Sequence, residues 1–87
     1  MVDVREEEQR RTALMLERLR SKIESRRYDA DTAFLVYSTD LFRIGVDARA
    51  ELVGDVERYV SQVGVPTAGV YLAFQTDYTV MHVPGTE

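Results

Sequence analysis

The first charged stretch, REEEQRR from Arg5 to Arg11, offers nothing to bury, but beyond it Leu16, Leu19 and Ile23, flanked by Ala13 and Met15, recur at helical spacing. A helix over about residues 4–27 is predicted, with Asp3 as its N-cap and Glu6 three residues later in a capping-box-like arrangement. These carboxylates face the positive end of the helix dipole. Asp29 and Asp31, in RYDADT, then mark a turn. A second helical pattern covers about residues 48–63, with Asp47 as its cap and Leu52, Val56, Tyr59, Val60 and Val63 as its apolar face. Gly64 and Pro66 follow in the usual order for a helix end. Gly54 lies opposite that apolar face, where it costs about 1 kcal/mol relative to alanine.

Two similar stretches complete the pattern: FLVYSTDLFRIGV from Phe34 and YLAFQTDYTVMHV from Tyr71, identical at four of thirteen aligned positions. Each reads as strand, turn and strand with a Thr-Asp pair at the bend. Hairpins are therefore expected over about residues 33–46 and 69–83, with PGTE left as a short tail. The order helix-hairpin-helix-hairpin (αββαββ) suggests internal duplication, although shared strand composition also produces such a likeness. An isolated hairpin is marginal in water. The expected fold class is thus α+β, a single domain over residues 1–87 with a four-stranded antiparallel sheet carrying two helices on one face.

With Thr-Asp at the centre of each turn, strand alternation sorts the side chains into two faces. Ala33, Leu35, Tyr37, Phe42, Ile44 and Val46 fall on one face with Val70, Leu72, Phe74, Thr79, Met81 and Val83. This is the expected core face. Phe34, Val36, Ser38, Leu41, Arg43 and Gly45 fall on the other with Tyr71, Ala73, Gln75, Tyr78, Val80 and His82. An antiparallel sheet with one wet face normally alternates apolar and polar residues, whereas here Phe34, Val36, Leu41, Tyr71, Tyr78 and Val80 occupy the nominally wet side. Their combined patch approaches the roughly 400 Å² above which surfaces tend to bind or aggregate. A second copy packed sheet to sheet is the expected cover, a dimer being the first choice; helix one folded over that face, a protein partner or an apolar ligand are the others.

Charge sharpens this picture. The net charge is −4, but residues 1–28 hold eight basic and six acidic side chains (+2) while residues 29–87 hold three basic and nine acidic (−6). A basic arm on an acidic body disfavours nucleic acid and anionic membranes as partners of the body. No apolar run is long enough to span a bilayer, and the N-terminus shows no signal-peptide core, so a cytoplasmic location is expected. The chain has no cysteine and one histidine, His82, which argues against disulfides, thiolate chemistry and a histidine-rich metal site. Neither a metal nor a cofactor is expected.

Thr39-Asp40 and Thr76-Asp77 are read as turn formers and not as a hard-cation site, since no third ligand is predictable. His82 beside Tyr71 could in principle act with Ser38 and Asp40, yet no nucleophile elbow, triad spacing or phosphate-binding glycine loop is present. Arginines surround the first helix, and several have acidic neighbours at helical spacing: Glu6 with Arg10, Glu7 with Arg11, Glu17 with Arg20. The expected function is a small non-enzymatic protein–protein interaction module, an adaptor, inhibitor or assembly component that self-associates. Its partner-binding residues are Phe34, Val36, Leu41, Tyr71, Tyr78, Val80 and His82, with Leu14 exposed on the first helix. The alternatives are a nucleic-acid-associated regulator using Arg10, Arg11 and Arg18, and a small-ligand-binding protein with a pocket near Phe34, Tyr71 and His82.

Overall fold

The computed structural model describes residues 3–38 and 43–86. Their elements run α1 (Val4–Glu24), β1 (Phe34–Ser38), α2 (Val46–Val63), β2 (Val70–Phe74) and β3 (Thr79–Val83). Asp3 caps α1 as its position predicts, accepting a hydrogen bond from the Arg5 amide at 2.9 Å. Met15, Leu19 and Ile23 are the buried stripe, with Leu16 half-buried beside them. The helix stops three residues short of 27 because Arg26 adopts a left-handed conformation (φ 53°) and its amide bonds back to the Ile23 carbonyl. Arginine gives no sequence signal of such a stop. Asp29 then accepts from the Asp31 amide and the Thr32 hydroxyl, fixing the expected turn.

The N-cap of α2 is Gly45, two residues before the expected Asp47. Glycine has no side chain to cap with, and the Gly45 amide instead donates to Glu8 Oε2 of α1 at 2.6 Å. One helix therefore satisfies the entry to the other. Leu52, Val56 and Val60 are buried, Tyr59 is half-buried, and Val63 at the helix end is exposed. Gly64 closes α2 at φ 73°, its amide bonded to the Val60 carbonyl at 2.9 Å.

Among the described residues the sheet has three strands in the order β1-β2-β3, and it is mixed. β1 runs parallel to β2, from Phe34 opposite Val70 to Ser38 opposite Phe74; β2 and β3 form an antiparallel hairpin. The expected four-stranded antiparallel sheet of αββαββ layout, and with it the duplicated hairpin, is thus incorrect. A parallel pair requires a crossover of a dozen or more residues, and α2 supplies it. Residues 39–42, the tip and return of the expected first hairpin, lie outside the described residues, while Arg43 to Gly45 are irregular and helix begins at Val46.

This topology inverts the faces of the first strand. Phe34 and Val36 are buried with Val70, Leu72, Phe74 and Val83, while Leu35 and Tyr37 are exposed. Paired residues of parallel strands point to the same side, and Phe34 is level with Val70 instead of Tyr71. A one-residue slip reverses every side chain of a strand. Both helices cover the inward face, α1 packing on α2 and β1, and α2 reaching β3. One core cluster joins Met15, Leu19 and Ile23 to Leu52, Val56, Val60 and the inward strand residues. Helix one therefore does not cross to the second face of the sheet.

The residues after β3 are not a free tail. Gly85 and Thr86 donate to the carbonyls of Thr67 and Val65 at 3.3 and 3.2 Å. The glycines of this region are sterically required: a Cβ at Gly69 (φ +75°) would lie 2.1 Å from the Val83 carbonyl oxygen. At Gly54, by contrast, a Cβ meets only Arg58 Nη1 at 3.7 Å. Gly54→Ala is expected to stabilise the protein by about 1 kcal/mol, and Gly69→Ala to destabilise it by about 2 kcal/mol. Urea denaturation of the two variants checks both signs.

Candidate interaction surface

The outward residues of the three strands form two rows across the sheet. Leu35, Tyr71 and His82 are neighbours in one; Tyr37, Ala73 and Val80 are neighbours in the other. No charged carboxylate, lysine or arginine interrupts them. Leu35, Tyr37, Tyr71 and Val80 are 49, 52, 37 and 60% exposed, and no described element lies over them. The Tyr71 and His82 rings stack at 4.4 Å with 19° between planes, and His82 Nε2 donates to the Ala68 carbonyl oxygen at 2.8 Å. That bond pins the imidazole flat along the strand. Tyr78 is almost fully exposed at the hairpin turn, in a left-handed conformation (φ 57°).

Of the residues expected on this face, the structure brings Tyr71, Val80 and His82 together and adds Leu35 and Tyr37. Phe34 and Val36 lie on the core side, Phe34 meeting the Tyr28 ring edge-on at 4.9 Å. Leu41 lies outside the described residues, as do Thr39 and Asp40. Phe34 is consequently on the opposite side of the sheet from Tyr71 and His82, so the three do not line one pocket. Leu14 is half-exposed on α1. Along that helix Arg10 and Arg11 both pair with Glu7, the latter at 2.8 Å. The Arg10 hydrogen bond leads in holding the Glu7 carboxyl below its ordinary value. Arg18 has no ion pair or hydrogen bond among the described residues.

A second polar arrangement sits at the opposite end of the sheet from His82. Arg49, in the first turns of α2, is buried, and its guanidinium lies 4.3 Å over the Phe74 ring. Its Nε donates to the Ile44 carbonyl at 2.7 Å and its Nη1 to Asp77 Oδ2 at 2.9 Å, leaving Nη2 buried without a partner. Arg43 approaches the same carboxylate at 3.7 Å. Asp77 also accepts from the Thr79 amide at 3.3 Å, so it forms the turn as expected and holds Arg49 as well. The sequence does carry a trace of this: Arg49 falls on the Leu52, Val56, Val60 stripe, where a cation needs a partner. Nothing local identifies that partner as residue 77.

Hydrogen bonds from Thr79 lead in lowering the Asp77 carboxyl below its ordinary 3.8, with Arg49 adding to them. The folded state thus binds its proton less well than the unfolded chain. The resulting stabilisation is complete above that ordinary value and is lost as pH falls through the lowered one. Removing the two partners should have unequal effects. Asp77→Ala strands a buried guanidinium, whereas Arg49→Met removes an unpartnered buried donor and leaves Asp77 27% exposed to water. Arg49→Met is expected to stay within about 1 kcal/mol of the wild type and Asp77→Ala to be clearly less stable. The acid sensitivity between pH 4 and lower values shrinks in Asp77→Ala, which a urea series at several pH values reads directly.

The chain matches no protein-family model, no curated protein and no solved structure. Among the described residues, no helix is long and apolar enough to cross a membrane.

Proposed function

We propose that this protein is a small, non-enzymatic interaction module that self-associates by packing the open sheet faces of two copies together. The carrying observation is the largely apolar double row Leu35–Tyr71–His82 and Tyr37–Ala73–Val80, free of carboxylate, lysine and arginine, which no described element covers. Charge favours a second copy as the cover. Residues 29–87 carry a net −6, so two such bodies approach with least repulsion where both are uncharged. The rows offer each copy the same surface, as a two-fold interface requires.

The area sets the strength. Leu35, Tyr37, Tyr71 and Val80 together expose on the order of 400 Å², so two copies bury about 800 Å² from these residues. This is below the roughly 1,200 Å² of a standard stable interface and in the range of weak, transient contacts, so an exchanging dimer is expected. Such a module suits an adaptor or assembly component whose state depends on local concentration. Hydroxyl-radical footprinting at rising protein concentration tests the surface. Tyr37 and Tyr71 are expected to become protected together, while Tyr59, on the helix side, stays constant. Reactivity of Tyr37 and Tyr71 that does not change with concentration would contradict the reading.

A further inference from the structure

β1 forms one edge of the sheet, and the direction of its backbone groups can be read from its pairing with β2. The Phe34 amide donates to the Gly69 carbonyl at 3.0 Å, and the Ser38 carbonyl accepts from the Gln75 amide at 3.2 Å. Phe34, Val36 and Ser38 therefore turn their backbone groups toward β2, and Leu35 and Tyr37 turn theirs to the open edge. Among the described residues the outward groups have one partner: Lys22 Nζ donates to the Leu35 carbonyl oxygen at 3.2 Å. Natural edge strands are commonly protected by lysine in this way.

α1 runs beside this edge and leaves a groove of about 550 Å³, lined by Arg18, Ser21, Lys22, Leu35, Val36 and Tyr37. Leu14, one helical turn before Arg18, continues the same side of α1 and is 50% exposed. The lining contains two cations and no carboxylate. Among the described residues the Arg18 side chain has no hydrogen-bond or ion-pair partner, and the Lys22 ammonium bonds only to a backbone carbonyl. Arg10 and Arg11 share the Glu7 carboxylate, whereas Arg18 and Lys22 stand beside the open edge of β1 with no carboxylate in the groove.

We propose that this groove receives an extended acidic peptide, which adds to β1 as a fourth strand and places carboxylates against Arg18 and Lys22. Backbone pairing supplies affinity and alternate side chains supply specificity, as in other strand-addition sites. The incoming peptide amide takes the Leu35 carbonyl from Lys22, and the released ammonium turns to a peptide carboxylate. Leu14 offers an apolar contact to a residue on the helix side. A second copy of β1 fits this edge poorly, because two-fold strand pairing would bring both pairs of Arg18 and Lys22 together with nothing to neutralise them. The site uses the backbone edge of β1, although Leu35 and Tyr37 also belong to the open face, so Val80→Asp, which lies off the edge, separates it from self-association.

The test is fluorescence anisotropy with a labelled short peptide of alternating valine and glutamate, using the Val80→Asp form of the full chain so that self-association does not interfere. Saturable binding is expected, with amide shifts at Leu35 and Tyr37 in NMR spectra. Arg18→Glu should weaken it about tenfold, and N-methylation of alternate peptide amides about tenfold or more. A valine–lysine peptide should not bind. Failure of the acidic peptide to bind at about 1 mM, equal binding of the basic peptide, or indifference to Arg18→Glu would each overturn the proposal.

Discussion

Phe34→Ala is expected to cost about 3–5 kcal/mol, while Leu35→Ala, at the next residue, costs less than about 1 kcal/mol. Phe34 is 5% exposed, packed under Tyr28 and among the core residues, so truncation removes a large buried ring and leaves a cavity. Leu35 is half-exposed on the far side of the strand and loses little on truncation. The opposite phase, in which Leu35 and Tyr37 face the core, reverses the order of the two effects. Urea unfolding decides between them. A chain of this length has about 4–13 kcal/mol to lose, so Phe34→Leu provides a milder second point should Phe34→Ala fail to fold.

That strand is also where sequence reasoning and structure part. The helices were legible because their apolar residues recur at the helical period, and because Asp3 and Gly64 are ordinary start and stop chemistry. The β2–β3 hairpin was legible as well, since Val70, Leu72 and Phe74 alternate with outward residues around an Asp77 turn. The β1 segment carries apolar side chains on both faces, so alternation gives no phase. The likeness of FLVYSTD to YLAFQTD then supplied one, aligning Phe34 with Tyr71, whereas the sheet pairs Leu35 with Tyr71. What sets the true register is long-range: a parallel crossover through α2 and the packing of Phe34 and Val36 beneath α1. The Glu8 bond that caps α2 and the Arg49–Asp77 pair are equally nonlocal, linking residues 37 and 28 positions apart.

The existence of an apolar second face survives this correction, while its membership changes from Phe34 and Val36 to Leu35 and Tyr37. Its most sensitive point is Val80, 60% exposed at the end of the Tyr37–Ala73–Val80 row. Val80→Asp places an unpaired carboxylate in each copy at the proposed interface, where it must lose water with no cation to meet it. The dissociation constant is expected to rise about 100-fold, equivalent to roughly 2.7 kcal/mol. Because Val80 faces solvent in the single chain, the fold should change by no more than about 1 kcal/mol, the spread of strand preferences. Association and stability are thereby separated in one variant. His82, fixed to Ala68 and stacked on Tyr71, lies in the adjoining row, so Tyr71→Glu should weaken association in the same direction.

The most direct measurement is molar mass by light scattering across a concentration series, on the wild type and on Val80→Asp. The expected result is a wild-type mass rising from the 10.0 kDa of one chain toward twice that value, with the Val80→Asp curve displaced about 100-fold to higher concentration and the variant melting like the wild type. A wild type that stays at the mass of one chain to about millimolar concentration, or a Val80→Asp form that associates equally well, would contradict the paired-face account.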